Sequence, residues 1–172
     1  MKRLIATIFF LHCLTLSFGQ NADIKAMVDS LQYLKADTLD CSANLYWRII
    51  AKGDKAIPFL IDKLTDTNST NIKSPCKKTK LNVAEISYAA MTEIAYFPMY
   101  LMTHIQFDVI HNDCWNFYDY FYKDENKKEF QKMVQDWYLK EKKNYKVKTI
   151  PKKKLSDCQK KYKITKYYDW TQ

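Results

Sequence analysis

Only two glycines, Gly19 and Gly53, occur in this chain of 172 residues, where average usage would give about a dozen. Chemistry that needs bare backbone against a phosphate has lost its raw material. A dinucleotide fingerprint, a P-loop and a nucleophile elbow are all excluded. Two-residue hairpins draw on Asn-Gly, Asp-Gly or Gly-Gly pairs at positive φ, and the sequence contains none of these. A sheet-based fold is therefore not expected, and an all-α fold is.

The charge is as lopsided as the glycine count. Lys and Arg number 28 against 19 Asp and Glu, for a formal net charge of +9, and the only arginines are Arg3 and Arg48. Lysine is a point charge without the planar fork that matches guanine bidentately. Such a chain attracts polyanions but is poorly equipped to read bases, so specific nucleic-acid recognition is not expected.

The first residues carry an address. Lys2 and Arg3 precede an apolar run from Leu4 to Leu16, followed by Ser17-Phe18-Gly19, which is the layout of a secretory signal peptide cut after Gly19. The run is shorter than the roughly 20 residues that span a bilayer. The residue before Cys13 is His12, not the small residue a lipoprotein signal wants. The expectation is a signal peptide over residues 1–19, a mature chain from Gln20 that is secreted or periplasmic, and no transmembrane segment after cleavage.

Four cysteines remain in that mature chain: Cys41, Cys76, Cys114 and Cys158. Their spacing contains no C-x-x-C pair, which argues against zinc, and in an exported chain of this size it predicts two disulfides. If the helices alternate direction in a stack, neighbouring units touch in order. That pairs Cys41 with Cys76 and Cys114 with Cys158.

Apolar periodicity supplies the helices. Ile24, Met27, Val28, Leu31 and Leu34 form one stripe; Leu45, Tyr46, Ile49 and Ile50 form a second, with Gly53 placed as a C-terminal cap residue. A third helix opens at Asp54 and carries Pro58 in its first turn, where a missing N–H removes no bond. Residues 66–80 are polar and hold Pro75, which reads as a loop. Asn82-Val83-Ala84-Glu85 has the side chains of a capping box ahead of a fourth helix that ends before Pro98. A fifth is expected from Met99 to Asp108, a sixth from Trp115 to Tyr122, and a long one from Glu125 to Lys143 with Phe130, Met133, Val134, Trp137 and Tyr138 on one face. The domain division is 1–19 signal peptide, 20–145 helical domain and 146–172 basic aromatic C-terminal tail.

The segment from Ala56 to Asp66, Ala-Ile-Pro-Phe-Leu-Ile-Asp-Lys-Leu-Thr-Asp, resembles the first helix of a HEAT-type repeat, and Val83 to Met91, Val-Ala-Glu-Ile-Ser-Tyr-Ala-Ala-Met, resembles its partner helix. The resemblance, to HEAT and armadillo-like helical repeat proteins, covers about residues 43–98. It implies a helical stack that presents a surface to another protein. A solenoid needs about three units, so the implied fold is a compact HEAT-like stack of antiparallel helices with a basic C-terminal helix and tail.

Candidate functional residues fall into three groups. His104, Asp108 and His111 stand at i, i+4 and i+7, which on a continuous helix would offer three ligands on one face; Asn112-Asp113 reads as a stop signal before that face is complete. A metal-dependent envelope hydrolase built on these three is the alternative function. Glu85 and Glu93 lie about 12 Å apart along a helix at its standard rise, too far for a glycosidase pair, and are assigned to capping and to pairing with Arg48. Trp115, Phe117, Tyr118, Tyr120, Phe121 and Tyr122 crowd eight residues. Trp115, Tyr118 and Tyr122 would share a helix face, and such rings suit binding surfaces.

Lysine concentrates late. Residues 123–166 hold 16 lysines and six acids, while residues 20–122 carry a small negative balance. Lys152, Lys153 and Lys154 are the densest point of that run. The function expected is that of an exported, non-enzymatic helical protein without a cofactor, binding a protein partner or an anionic envelope surface through Trp115, Tyr118, Tyr122 and Lys152–Lys154. An inhibitor or immunity-type role is its narrower form.

Overall fold

The helical periods in the sequence become helices. A computed structural model describes residues 21–106, 110–111 and 114–169, so the expected signal peptide and Cys13 lie outside the described residues. The helices are α1 (residues 21–29), α2 (Asn44–Ile50), α3 (Ile57–Asp62), α4 (Val83–Ile94), α5 (Met99–Thr103), α6 (Asn116–Phe121), α7 (Asp124–Glu141) and α8 (Asp157–Lys161), with 3-10 turns at Leu31–Tyr33, Gly53–Ala56 and Lys152–Lys154. No described helix is long and apolar enough to cross a membrane.

Helix α4 is the centre of the molecule. Its N-terminus closes with both halves of the capping box: Glu85 N donates to Asn82 Oδ1 at 3.1 Å, and Asn82 N donates to Glu85 Oε2 at 2.9 Å. Most of its residues are buried, since it packs against α2, α3, the Leu31–Tyr33 turn and the sheet described below. A helix apolar nearly all round belongs in a core. Helix α7 lies over α3 and α6. It buries Phe130 and Val134, with Met133, Trp137 and Tyr138 half-buried beside them. Its Gln131 side chain donates to the carbonyls of Ile61 and Asp62 at 2.8 and 3.1 Å, which ties α7 to the C-terminal end of α3.

Mostly helical is the correct class, and the all-α expectation is corrected at the C-terminal end. Strands β1 (Ala95–Tyr96), β4 (Lys146–Thr149) and β5 (Lys166–Asp169) form a three-stranded sheet in the order β1-β5-β4. β5 runs parallel to β1, with Tyr168 opposite Ala95, and antiparallel to β4, with Tyr168 opposite Val147. β2 (Ile110–His111) and β3 (Cys114–Trp115) make a separate antiparallel pair. The scarcity of glycine did not forbid this sheet, because β4 and β5 are joined through the Lys152–Lys154 turn and α8 rather than by a tight hairpin. Lys163, at φ 57, turns the chain out of α8.

The disulfide pairing expected from stacking order is overturned. Cys41 bonds Cys158 and Cys76 bonds Cys114, with Cα–Cα separations of 4.9 and 5.5 Å. The physical reason is that the C-terminal segment folds back on the first third of the chain. Tyr162 stacks on Trp47 with ring centroids 6.2 Å apart, and the Tyr162 hydroxyl and Lys161 ammonium both donate to the Cys41 carbonyl. All four described cysteines are paired, as two disulfides in an oxidising compartment would be.

Other boundaries shift for local reasons. The third helix begins as a 3-10 turn at Gly53, whose φ of 62 is the positive value its cap position required. Pro58 sits in the first turn of α3. The fifth helix ends at Thr103, because His104 adopts φ 55 and the chain leaves the helix there.

Candidate functional site

The end of α4 and the C-terminal segment face each other across a groove of about 970 Å3. Tyr88, Thr92 and Glu93 of α4, Ala95 and Tyr96 of β1, Phe97 after it, and Met99 and Tyr100 of α5 are part of the lining. Phe117 and Tyr118 of α6 form the floor region, and Ile150, Gln159 and Tyr167 come from the lysine-rich end. Local folding explains the rings. Phe117 and Phe121, one turn apart, stack at 5.5 Å and pack with Tyr88 and Phe130 in the core, which leaves Tyr118 on the other side of α6 to reach the groove. Tyr96 and Tyr100 stay well exposed, at 55% and 62%.

Glu93 is the charged residue among these described lining residues. It stands at the surface, but the groove withholds enough water to push its carboxyl above the ordinary glutamate value, and no neighbour lowers it. Its negative charge adds to the burial that holds the Tyr46 hydroxyl far above the usual tyrosine range. The expected pairing of Glu93 with Arg48 is not formed: among the described residues Glu93 has no hydrogen bond or ion pair.

Tyr118 also borders a second, smaller cavity of about 350 Å3, shared with Ser74, Cys76, Glu85 and Tyr122. Tyr118 and Tyr122 stack there at 5.3 Å. Burial, more than any other influence, pushes Tyr122 up to about 12. Beneath it lies a network that the sequence did not announce. Lys77 contacts both Glu85 carboxylate oxygens at 2.7 and 2.9 Å, Lys127 reaches Glu85 Oε1 at 3.3 Å, and Lys127 also pairs with Asp124 at 2.6 Å. The Glu85 and Lys127 side chains are each 1% exposed. Buried charges persist when paired in this way. One sequence signal pointed to it: Lys127 occupies the stripe position three residues before Phe130.

The sequence-predicted binding residues are dispersed. Tyr118 lines both cavities, Tyr122 the smaller one, and Lys152–Lys154 form an exposed turn beside Ile150 of the groove wall. Trp115 falls in β3, not on α6, so the shared helix face expected for Trp115, Tyr118 and Tyr122 is reduced to the last two; the Trp115 side chain is outside the described residues. His104 caps α5 in the left-handed conformation, His111 lies in β2, and Asp108 is outside the described residues, so no single helix face carries the three. Among the described residues no cluster of three or more His, Cys, Asp or Glu is placed to hold a metal ion.

The chain matches no protein-family model, no curated protein and no solved structure.

Proposed function

We propose that this chain is an exported, non-enzymatic protein that binds another macromolecule, a protein with an acidic surface, through the groove between α4 and the lysine-rich end. The observation that supports this reading is the make-up of that groove: aromatic rings from five separate elements, α4, β1, α5, α6 and β5, line one open cleft, and residues 123–166, which contribute Ile150 and Gln159 to its lining, carry 16 lysines against six acids. Tyrosine rings give large contact area at small entropy cost, and a basic rim speeds encounter with an anionic partner. The HEAT-like pairing of α3 with α4, which pack directly on each other, serves in this reading as the scaffold that holds the groove's α4 wall. Export agrees with the two disulfides.

Titration of polyglutamate into the full mature chain, read by intrinsic fluorescence at several salt concentrations, tests the electrostatic part. Changing Lys152, Lys153 and Lys154 together to Glu should weaken binding and flatten its salt dependence while leaving thermal unfolding nearly unchanged, since exposed substitutions each matter by under about 0.5 kcal/mol. Equal binding by the parent and the triple variant at low and physiological salt would reject the reading.

A further inference from the structure

We propose that the groove beside α4 is a recognition site for an organic cation, and that its occupant is a lysine or arginine side chain carried by the partner. The proposal rests on the groove being the binding face. It adds what the groove recognises.

Three observations converge on a cation. The protein holds 28 Lys and Arg, yet none is among the described residues lining the groove, whose charged member is Glu93. Aromatic rings share the groove lining with that carboxylate, and two of them, Tyr96 and Tyr100, are more than half exposed. A ring face is electronegative and attracts ammonium or guanidinium groups. Glu93 itself has no hydrogen-bond or ion-pair partner among the described residues. A carboxylate or phosphate entering the groove would meet like charge, and a purely apolar group would strip Glu93 of water and return nothing. A cation satisfies the carboxylate and the rings together.

The field of the whole chain decides how that cation arrives. The net positive charge of the chain, concentrated in the lysine-rich segment that contributes Ile150 and Gln159 to the lining, repels a small free cation. A cationic side chain on an otherwise acidic surface is drawn in by its surroundings and delivered past that barrier. The combination is complementary at two scales, acidic surface to lysine rim and single cation to Glu93.

The test uses the full mature protein and short acidic peptides, four aspartates flanking one central residue, with lysine, arginine or norleucine at the centre. The lysine and arginine peptides should bind about tenfold more tightly than the norleucine peptide, the size expected of a partly desolvated cation–π and carboxylate contact. Glu93→Gln should remove most of that difference, weakening the lysine and arginine peptides while the norleucine peptide, which no longer has a carboxylate to desolvate, binds no more weakly than to the parent. Equal affinity for the lysine and norleucine peptides on the unaltered protein would overturn the proposal without recourse to any variant. Tighter binding of free butylammonium than of the lysine peptide would overturn the assignment to a side chain. The Lys152/Lys153/Lys154 triple change to Glu should weaken all three peptides alike; if it has no effect while Glu93→Gln still discriminates lysine from norleucine, the acidic-surface reading fails and the cation site stands.

Discussion

Lys127 and Glu85 meet inside the protein, 42 residues apart in sequence, with Nζ 3.3 Å from Oε1 and each side chain 1% exposed. Glu85 is the hub of this contact. One oxygen receives both lysines, and the other accepts from Lys77 and from the Asn82 amide that opens α4. A single carboxylate thus ties the 66–80 loop, α4 and α7 together.

Removing the hub should therefore cost more than removing a spoke. Glu85→Gln keeps a side chain suited to the capping box but leaves two ammonium groups facing a neutral amide, and should lower stability by about 3–5 kcal/mol, the cost of breaking a buried pair. Lys127→Met leaves Glu85 still paired with Lys77 and fills the volume with an apolar chain, so its cost should fall near the about 1 kcal/mol of an ordinary substitution. Urea unfolding of the two variants orders them; a larger loss for Lys127→Met would show that Asp124 and Glu85 depend on Lys127 rather than the reverse.

The two disulfides should contribute unequally. They span 117 and 38 residues of sequence, which in the chain-entropy model corresponds to about 5 and about 4 kcal/mol. Replacing Cys41 and Cys158 by Ala should cost the more, and should release the C-terminal segment first, because the Trp47–Tyr162 stack and the bonds to the residue 41 carbonyl must then hold α8 to the first third of the chain without a covalent link. Hydrogen exchange should show new opening in β4 and β5. Replacing Cys76 and Cys114 should spare those strands, and non-reducing peptide maps of the parent should contain the 41–158 and 76–114 crosslinks.

What was legible in the sequence is what is local. The Asn82–Glu85 capping box, the positive φ at Gly53, Pro58 in a first turn and the stripes of α1 and α7 all depend on residues within a turn or two of one another, and each stands as expected. A second capping box, at Ser156 and Gln159, is equally local. The sheet and the disulfide pairing were not readable, because both depend on the chain's end returning to its beginning. β1 is two residues long and finds its parallel partner more than 70 residues later, and nothing in Ala95-Tyr96 marks it as a strand. The groove was missed for the same reason. Its lining joins residues 88–118 to Ile150, Gln159 and Tyr167, and of the expected binding residues whose side chains are described Tyr118 alone lies on it.

Gly53 illustrates how a local and a distant requirement meet at one residue. Its φ of 62 disfavours any side chain, and a Cβ placed there would lie 2.8 Å from the Tyr168 hydroxyl oxygen and 3.2 Å from Cε2 of the same ring. Gly53→Ala should cost about 1–2 kcal/mol from the left-handed backbone alone, and more from displacing Tyr168 out of β5. In a Tyr168→Phe background the hydroxyl contact is gone while the ring carbon remains, so the cost of Gly53→Ala should shrink without vanishing. Thermal unfolding of the double-mutant cycle measures that coupling; strict additivity would mean the ring moves aside freely.

Glu93 predicts a pH dependence with a definite sign. Its carboxyl is raised in the folded protein by lost hydration, so the unfolded chain gives up this proton first as pH rises. Glu93 therefore favours the folded state in acid, and that contribution is lost as pH climbs from the ordinary glutamate range through its raised folded value. Glu93→Gln has no proton to lose. The variant should match the parent near about pH 3, below the ordinary glutamate range, where the carboxyl is neutral folded and unfolded, and be the more stable near about pH 7. Melting curves across that window check the divergence; a constant offset between parent and variant would mean that Glu93 is as well hydrated folded as unfolded. The lysine peptide should reduce the gap at neutral pH, because an ammonium group in the groove returns to the carboxylate the stabilisation that desolvation removed. The norleucine peptide should not.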